Sequence, residues 1–498
     1  MNNIKILFAS ILSIGSLGMC SCDNSVKIGP QPTPDPAPAE GTDVRMITTT
    51  TNRSKDLTES WLPFSQKDNM SPTCITLLPE EEYQTMDGFG VAVTGSTCYN
   101  LLQMKPEDRK AFLEATFDPI NGYGFSYVRI AIGCSDFSLS EYTCCDKEGI
   151  ENFALTDEET KYVIPILKEI LAINPSLKIM GTPWTPPKWM KVKDLDTLEP
   201  FDSWTSGSLN PKYYQDYGTY FVKWVEAFAQ NGIKIFSVTP QNEPLNRGNS
   251  ASCYMPWEEE RDFVKNGLGP ALKNAGLDVK VYAFDHNYNY DNIDSQKGYP
   301  TNIYADEEAA EYLDGAAYHN YGGDKEELIS VHNATPGMDL VFTETSIGTW
   351  NNGRDLNARL LDDMEQVALG TVNRWCKGVI VWNLMLDEDR GPYRPGGCST
   401  CFGAVDINKD YTTLTKNSHY YIIAHMSSVV KPDAVRIGTK GYTANGLTYS
   451  AFKNTDGSYA LVMSNNNSMA INITVEDGNH HFTTTVPAKS AVSYSWNK

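Results

Sequence analysis

The sequence predicts a (β/α)8 barrel with a β-sandwich side domain. Eight apolar segments of strand length recur along the middle of the chain, and helical periodicity separates most of them. Polar residues gather at the C-terminal ends of these segments, which is where barrels of this kind carry their functional sites. The last part of the chain shows short alternating strands with turn signals instead. A chain of 498 residues is long enough for both domains.

The predicted barrel strands are continuous apolar runs, a pattern typical of parallel strands buried on both faces. They lie at 87–95, 125–133, 177–184, 233–239, 279–287, 314–321, 338–346 and 378–386. Helical periodicity is found at 161–173, 213–231, 261–276 and 356–373. An open, doubly wound sheet is the alternative, but it would gather polar residues at one switch point rather than at many strand ends. We therefore expect a closed barrel over residues 83–414.

A β-sandwich is predicted for residues 415–498. This part of the chain alternates apolar and polar residues over short segments, with Asn445-Gly446 and Asp456-Gly457 as turn signals. The β-rich segment 43–82 lies before the barrel, and we expect it to contribute strands to the same sandwich.

The N-terminus carries a targeting pattern. Lys5 precedes the apolar run ILFASILSIGSLGM, which is too short to span a bilayer comfortably. Ser21 before Cys22 resembles the cleavage site of a bacterial lipoprotein signal. This resemblance implies a signal peptide at 1–22 and a lipid on Cys22, with lipidation of Cys20 or a simple secretory signal as alternatives.

A proline-rich linker is predicted at 23–42, where prolines alternate with small polar residues and favour a semi-extended chain. Asp23 and Asn24, directly after the cysteine, resemble Bacteroidetes lipoproteins. This resemblance implies anchoring in the outer membrane, with the folded body at the cell surface or facing the periplasm. The lipid is the expected membrane contact, and we expect a monomer.

The charge and the cysteines limit the partners and cofactors. A net charge of -21 argues against nucleic acid or an anionic membrane surface as a partner. Cys398 and Cys401 form a C-x-x-C pair, but zinc would need a second pair at similar spacing, which the sequence lacks. We therefore predict a loop disulfide between Cys398 and Cys401, buried thiols elsewhere, and no metal or cofactor.

Two carboxylates stand at the ends of predicted barrel strands. Glu243 lies between Pro240 and Pro244, which end the preceding strand, and Glu344 ends a strand about 100 residues later. Either one alone could be the ion-pair partner of a barrel arginine. A pair can cleave a glycosidic bond, because one carboxylic acid protonates the leaving oxygen while the other attacks the anomeric carbon. At a separation of about 5–5.5 Å, such a pair acts with retention of configuration.

This division of labour requires a raised pKa for the acid, whereas the nucleophile must stay ionised. Glu243 is the expected acid and Glu344 the expected nucleophile. Arg129, at the end of another strand, could keep Glu344 ionised, and Asn242 could bind the 2-hydroxyl of the substrate.

The segments TPQNEP, TETS and GTPWTPPKWMK (181–191) resemble motifs of glycoside hydrolase family 30, of clan A. Other segments match the family in the same order: DGFG at 87–90, DFS at 136–138, RDF and LGP within 261–270, YHNY at 318–321 and WNL at 382–384. The match runs from about residue 83 to the C-terminus. It implies a retaining β-glycosidase whose barrel is joined to a side β-domain.

The resemblance assigns roles position by position. Glu243 resembles the acid/base, Glu344 the nucleophile and Asn242 the ligand of the 2-hydroxyl. The other candidates are Asp136 and Trp184 as sugar ligands, Trp382 as a stacking wall, Arg129 and Tyr321 as groups that hold the nucleophile, and His319 as a substrate-binding residue, for which a structural role is the alternative. No second ligand stands at metal spacing from His319, so no metal is assigned.

Family 30 includes β-1,6-glucanases, glucosylceramidases, β-glucosidases, β-xylosidases and xylanases. Asp136 and Trp184 suit a gluco-configured ring, and the resemblance is strongest to the β-1,6-glucanase branch. Val91 and Gly95 depart from the glucosylceramidase-like pattern, which bears on the leaving group rather than on the chemistry. We expect an endo-β-1,6-glucanase acting on pustulan-type fungal β-glucan. A glucosylceramidase-like or exo-β-glucosidase activity and, in another class, a noncatalytic glycan-binding lipoprotein are the alternatives.

Overall fold

The computed structural model describes residues 26–27, 43–66, 70–288 and 293–497. The predicted signal peptide at 1–22, including Cys22, lies outside the described residues, as does most of the predicted linker. Val26–Lys27 pairs antiparallel with Thr413–Lys416. Within the described part of the chain, every helix is too short or too polar to cross a membrane.

The middle of the chain forms a closed barrel of eight parallel strands, as predicted. In chain order, barrel strands one to eight are Gly88–Ala92, Tyr127–Ala131, Lys178–Thr182, Ser237–Val238, Lys280–Asn287, Gly315–His319, Asp339–Glu344 and Cys376–Val381. Strand eight pairs in parallel with strand one, from Gly378 opposite Gly88 to Val381 opposite Val91, and this pairing closes the sheet. The open-sheet alternative is therefore wrong.

The inside of the barrel is filled by side chains from different strands. This interior cluster contains Tyr127, Met180, Tyr282, Ala317, Val341 and Ile380. Successive side chains of a strand point to opposite faces, so neighbours such as Val128 and Ile179 belong to the core between the barrel and its helices. Both faces are buried, which explains the continuous apolar runs in the sequence.

Helices pack around the barrel. They are Gly95–Gln103, Pro106–Phe117, Ile164–Ile173, Tyr214–Gln230, Trp257–Phe263, Gly269–Asn274, Tyr299–Tyr304, Glu307–Ala310, Glu326–Ala334, Leu356–Asp363, Leu369–Val372 and Ser418–Ser427. Short π-helical turns at Glu159–Val163, Val264–Leu268 and Met364–Ala368 adjoin some of these helices. Ser418–Ser427 has no counterpart among the predicted helices. All of its residues are buried, so it lacks the polar face that produces helical periodicity.

The sandwich domain takes strands from both ends of the chain, as predicted. Its nine strands form one sheet in the spatial order His481–Val486, Ile471–Glu476, Cys74–Thr85, Val435–Gly441, Leu447–Lys453, Tyr459–Asn465, Ser490–Trp496, Val44–Thr50 and Thr58–Leu62. A separate apolar core, which includes Phe482, Tyr494 and Trp496, holds this domain together.

Short strands on the loops above the barrel support the site. Ile347–Gly348 pairs antiparallel with Cys401–Phe402, and Lys191–Val192 pairs with Ser208–Leu209. Met385–Asp387 pairs with Val405–Ile407. The predicted disulfide between Cys398 and Cys401 is present. The other described cysteines are free thiols, which are buried except for the partly exposed Cys74.

His425, on the helix Ser418–Ser427, joins the barrel to the sandwich. Its Nδ1 lies 2.9 Å from Ser493 Oγ, and its Nε2 lies 2.9 Å from Thr49 Oγ1. The Ser493 hydroxyl donates to the His425 carbonyl at 2.7 Å, so the ring must donate from Nδ1 and accept at Nε2. Burial lowers the pKa of His425 to about 3, which keeps the ring neutral.

Replacing His425 by Gln should lower the free energy of unfolding at pH 7.5 by about 1–3 kcal/mol, because buried hydroxyl groups lose their partners. The folded pKa lies below the unfolded value of about 6.5. The contribution of His425 to the free energy of unfolding is therefore complete above pH 6.5 and is lost as the pH falls towards 3. When the pH is lowered from 7.5 to 5, the free energy of unfolding should fall by about 2 kcal/mol more in the wild type than in the variant. Urea unfolding at both pH values checks this, and equal losses would contradict it.

Candidate active site

Arg129, on strand two, is the centre of a buried network at the C-terminal ends of the barrel strands. Its Nη1 donates to Glu344 Oε2 at 2.6 Å, and its Nη2 donates to Asn242 Oδ1 at 2.7 Å and to Asp285 Oδ2 at 2.9 Å. Its Nε donates to Thr182 Oγ1 at 3.2 Å. Burial lowers the pKa of Arg129, but Asp285 and Glu344 raise it by more, so the guanidinium stays charged.

The loop after strand four turns Glu243 into this network. Glu243 has a φ of 44°, a left-handed conformation that is strained for a residue other than glycine. Its N–H donates to the Asp285 carbonyl at 3.0 Å, which holds the backbone in place. The side-chain amides of Asn246 and Asn249 each donate to Glu243 Oε2 at 2.8 Å. The carboxylate is therefore fixed from both its backbone and its side chain.

Glu344 ends strand seven and is held at both oxygens. Arg129 contacts Oε2, and the Tyr321 hydroxyl donates to Oε1 at 3.0 Å. Ser346 Oγ lies 2.9 Å from the same Tyr321 hydroxyl and is the alternative acceptor of its single proton. Glu344 is 6% exposed, so the carboxylate faces a small solvent-accessible space.

His319, on strand six, bridges two carboxylates. Its Nε2 lies 3.0 Å from Asp285 Oδ1, and its Nδ1 lies 3.3 Å from Glu243 Oε1. The hydroxyls of Thr239 and Thr343 donate to Asp285 at 2.8 and 2.6 Å. Asp285 thus fixes both the imidazole and the guanidinium, and its own oxygens are fully engaged. Asp285 therefore serves as a support for the groups around it.

The charge distribution in this cluster differs from the sequence prediction. Burial alone would raise the pKa of Glu243, but the hydrogen bond with His319 and the neighbouring His286 lower it to about 2. Burial lowers the pKa of His319, but Glu344 and the two carboxylates that contact the ring raise it to about 9. Burial raises the pKa of Glu344, although nearby cations offset part of the effect. In the free protein the exchangeable proton is therefore held by His319, and the expectation of a raised pKa for Glu243 is wrong.

Trp184 and Trp382 form an indole wall beside Arg129. Their ring centroids are 5.1 Å apart. The guanidinium lies 4.9 Å from the Trp184 ring centroid and 5.5 Å from that of Trp382. Phe137 packs behind the wall, 6.2 Å from Trp382. The wall and the cation together fix one side of the site.

Asp136 follows strand two, next to Phe137. Its Oδ1 is buried and makes no hydrogen bond within the described residues, so a ligand hydroxyl could satisfy it. Burial and the charges of Glu344 and Glu243 raise the pKa of Asp136 to about 7. Arg394 Nε donates to the carbonyl before it, that of Ser135, at 2.7 Å. The loop after strand eight thus holds the loop that carries Asp136.

The predicted catalytic and substrate-binding residues therefore gather at one end of the barrel. The sequence carries a weak signal for Asp285 and His286, which are polar residues at the end of the predicted strand 279–287, but no signal for the support that Asp285 provides. Asn246 and Asn249 lie in a loop without a pattern. Their contact with Glu243 depends on the path of that loop, which sequence spacing does not show.

Glu243, His286 and His319 could hold a metal ion. One ligand atom from each lies within 4.8 Å of the others, and two histidines with one glutamate are a ligand set used by zinc. The expectation that His319 lacks a second ligand is wrong, because strands five and six bring His286 beside it. A cation would have to displace the proton of His319 to bind there.

Comparison with known proteins agrees with this fold. The family model for the glycosyl hydrolase family 30 TIM-barrel domain matches residues 86–430, and the model for the family 30 beta sandwich domain matches residues 433–494. The chain belongs to glycosyl hydrolase family 30. The family barrel includes the buried helix Ser418–Ser427, and the prediction of family 30 from sequence motifs is confirmed.

Three similar proteins show the range of relatives. A solved structure of an endo-β1,6-glucanase is 68% identical, has a TM-score of 0.91 and covers 92% of this chain and 99% of its own. The endo-1,6-β-D-glucanase of Neurospora crassa is 31% identical over 413 residues, which are 80% of this chain and 82% of the relative. The lysosomal acid glucosylceramidase of Mus musculus is 28% identical over 459 residues, with coverage of 85% and 83%.

Proposed function

We propose that this family 30 hydrolase is a retaining endo-β-1,6-glucanase that cleaves pustulan-type β-glucan. The observation that carries the proposal is the pair Glu243 and Glu344 at the ends of strands four and seven, joined through Arg129 and its neighbours. The 68% identity to an endo-β1,6-glucanase supports β-1,6-glucan as the substrate.

Glu344 is the proposed nucleophile. In the first step, one of its oxygens bonds to the anomeric carbon while the bond from that carbon to the glycosidic oxygen breaks. Arg129 and Tyr321 hold the carboxylate in one position for this attack. Asn242 Oδ1 accepts from Arg129, so its Nδ2 remains to donate to the substrate 2-hydroxyl, directly or through a water. The indole wall lies against the glucosyl ring.

Glu243 is the proposed acid and base. It gives a proton to the glycosidic oxygen, and His319, at 3.3 Å, supplies that proton to Glu243. In the second step, water attacks the anomeric carbon and the bond to Glu344 breaks. The proton of that water passes to Glu243 and returns to His319. One water is consumed per bond, the configuration is retained, and the protons balance.

Replacing His319 by Gln should lower kcat/KM at pH 7 by about 10²-fold and shift the alkaline limb of the pH profile to lower pH. The wild-type cluster keeps its proton up to the His319 pKa of about 9. In the variant the proton must sit on Glu243, whose ordinary pKa is 4.5. The measurement is kcat/KM from pH 4 to 10 on an aryl β-glucoside with a poor leaving group.

The matched control for this pH profile is His425→Gln, because His425 is equally buried but lies outside the site. It should keep the wild-type alkaline limb. An unchanged limb in His319→Gln would contradict the proposed proton relay, even if the rate fell.

Product analysis over time tests the proposed activity. The purified protein is incubated with pustulan, laminarin, xylan and a glucosylceramide, with Glu344→Gln as the control for contaminating enzymes. Gentio-oligosaccharides of mixed length from pustulan, with the β-anomer formed first, are expected. Glucose as the sole product would favour an exo-β-glucosidase, and cleavage of the lipid glycoside alone would favour a glucosylceramidase-like enzyme. Either result would overturn the assignment.

We further propose that a lipid on Cys22 anchors a monomer to the outer membrane, with the barrel at the cell surface. This proposal rests on the sequence pattern at 1–22 and the linker at 23–42. Cys22→Ala should release the protein from the membrane fraction, and Cys20→Ala should not. Release by Cys20→Ala alone would move the lipid to Cys20.

A further inference from the structure

A cavity of about 320 Å³ adjoins the proposed nucleophile. It is lined by Tyr321, whose hydroxyl contacts Glu344, by Ser346, which contacts Tyr321, and by other residues of the loops after strands six and seven. Neither proposed catalytic glutamate lines this cavity, and neither does the indole wall. Its volume lies at the lower end of the roughly 300–1,000 Å³ typical of ligand sites. It therefore offers space beyond the site of bond cleavage.

Trp350 forms an aromatic platform in this cavity. It is 52% exposed, whereas the other tryptophans of the described residues are buried or half-buried. Its indole lies over Gly348, where a Cβ would come within 1.9 Å of the ring. Glycine thus lets the ring rest on the backbone while more than half of the residue stays open to solvent. Tyr321, which is 42% exposed, adds a second aromatic surface.

The polar groups around the platform suit an uncharged ligand rich in hydroxyls. Lys325 Nζ donates to Gln366 Oε1 at 2.7 Å. Asp324 accepts from a backbone N–H of the following helix at 2.9 Å, and Arg359 pairs with Asp362 at 2.9 Å. The lining carries two acidic and two basic side chains, so it has no net charge that would select an ionic ligand. A sugar can stack its C–H face on an indole and hydrogen-bond at its rim.

The platform is held by a braced loop. Ile347–Gly348 pairs with Cys401–Phe402, and the Thr349 N–H donates to the Thr400 carbonyl at 3.0 Å. The disulfide from Cys398 to Cys401 closes the turn that leads into the partner strand. A fixed support reduces the entropy lost when a ligand is bound, so the loop suits a preformed binding surface.

We propose that this cavity is a glucan subsite. In this subsite Trp350 stacks against the glucosyl unit that is linked to the ring attacked by Glu344. The subsite rests on the proposed endo-β-1,6-glucanase function and adds a preference for a chain over a single glucoside. A 1,6-linkage has one more rotatable bond than a 1,3- or 1,4-linkage. The neighbouring unit can therefore turn out of line with the first ring and enter a cavity at its side.

The test compares wild type and Trp350→Ala on gentiotetraose and on an aryl β-glucoside. The loss of kcat/KM should be about 10-fold larger for gentiotetraose, because only the longer substrate reaches the indole. Gly348→Ala, whose new Cβ displaces the ring, should reproduce this selective loss, and Trp350→Phe should restore most of the activity. Tyr83→Ala is the matched control, since Tyr83 is an exposed aromatic on the sandwich strand Cys74–Thr85.

Each outcome separates the subsite from the proposed activity. Suppose that wild type cleaves gentiotetraose, and that Trp350→Ala loses activity equally on gentiotetraose and on the aryl β-glucoside or keeps full activity on both. The subsite is then overturned and the proposed activity stands. If wild type does not cleave gentio-oligosaccharides or pustulan, the proposed activity is overturned and the subsite with it. A selective loss in both Trp350→Ala and Gly348→Ala, absent from Tyr83→Ala, supports the subsite.

Discussion

Replacing Glu344 by Gln should lower kcat/KM on β-1,6-glucan by on the order of 10⁵-fold. The variant keeps the size of the side chain but removes the anion that attacks the anomeric carbon. Asp285, a buried carboxylate on strand five, cannot take over the attack, because Arg129, His319 and two threonine hydroxyls engage its oxygens. Initial rates of reducing-end formation on pustulan measure the effect.

Glu159→Gln provides the matched control for the Glu344 variant. Glu159 is also a buried glutamate that accepts hydrogen bonds, from Tyr142 at 2.7 Å and from Thr156 at 2.6 Å, but it lies outside the site. Its variant should keep turnover within tenfold of wild type. A 2-deoxy-2-fluoroglucoside should label wild type on the peptide that contains Glu344. Labelling elsewhere, or wild-type turnover by Glu344→Gln, would remove Glu344 from the role of nucleophile.

The same variant also separates an enzyme from a glycan-binding lipoprotein. If the chain is an enzyme, Glu344→Gln should lose turnover and still bind pustulan, because Trp184, Trp382 and Asp136 remain. If the chain is a binding module, wild type and variant should bind equally and neither should release products. Affinity electrophoresis in pustulan gels, beside the rate measurement, distinguishes the two cases.

The barrel could be predicted because its strands are buried on both faces. Strands buried in this way need apolar residues at successive positions, which appear as continuous apolar runs in the sequence. For strand four, the apolar run predicts the strand but not its length. The apolar run at 233–239 predicts seven residues, but Ser237–Val238 alone pairs with both neighbours, and Pro240 follows closely. The helix Ser418–Ser427 was missed for the opposite reason, because burial on all sides removes its polar face.

The candidate site could be predicted as a set of residues, but its charge state could not. Glu243 and Glu344 stand in recognisable segments at strand ends. The proton position depends on His319 and His286, which reach Glu243 from strands six and five. Sequence spacing does not reveal such contacts across a barrel. The left-handed backbone at Glu243 is a further case, since it requires the Asp285 carbonyl as its partner.

Replacing Glu243 by Ala should have an effect that depends on the leaving group. On pustulan, kcat/KM should fall by about 10³-fold, because the glycosidic oxygen must leave without a proton. On 2,4-dinitrophenyl β-glucoside, whose leaving group needs no proton, the first step should be far less affected. The second step then becomes limiting because the base that activates water is missing. A burst of dinitrophenol before slow turnover measures both steps in one experiment.

Azide decides between the two glutamates, because a small anion can enter the space left by either truncated side chain. In Glu243→Ala, azide should attack the glycosyl-enzyme and give the β-glucosyl azide, since two displacements retain the configuration. In Glu344→Ala, azide should displace the leaving group directly and give the α-glucosyl azide. The pH profile of Glu243→Ala gives a second check. This variant lacks the acceptor of the His319 proton, so the alkaline limb near pH 9 should disappear from its profile of kcat/KM. If the two azide products are exchanged, the roles of Glu243 and Glu344 must be exchanged as well, although the network around Arg129 would still hold both.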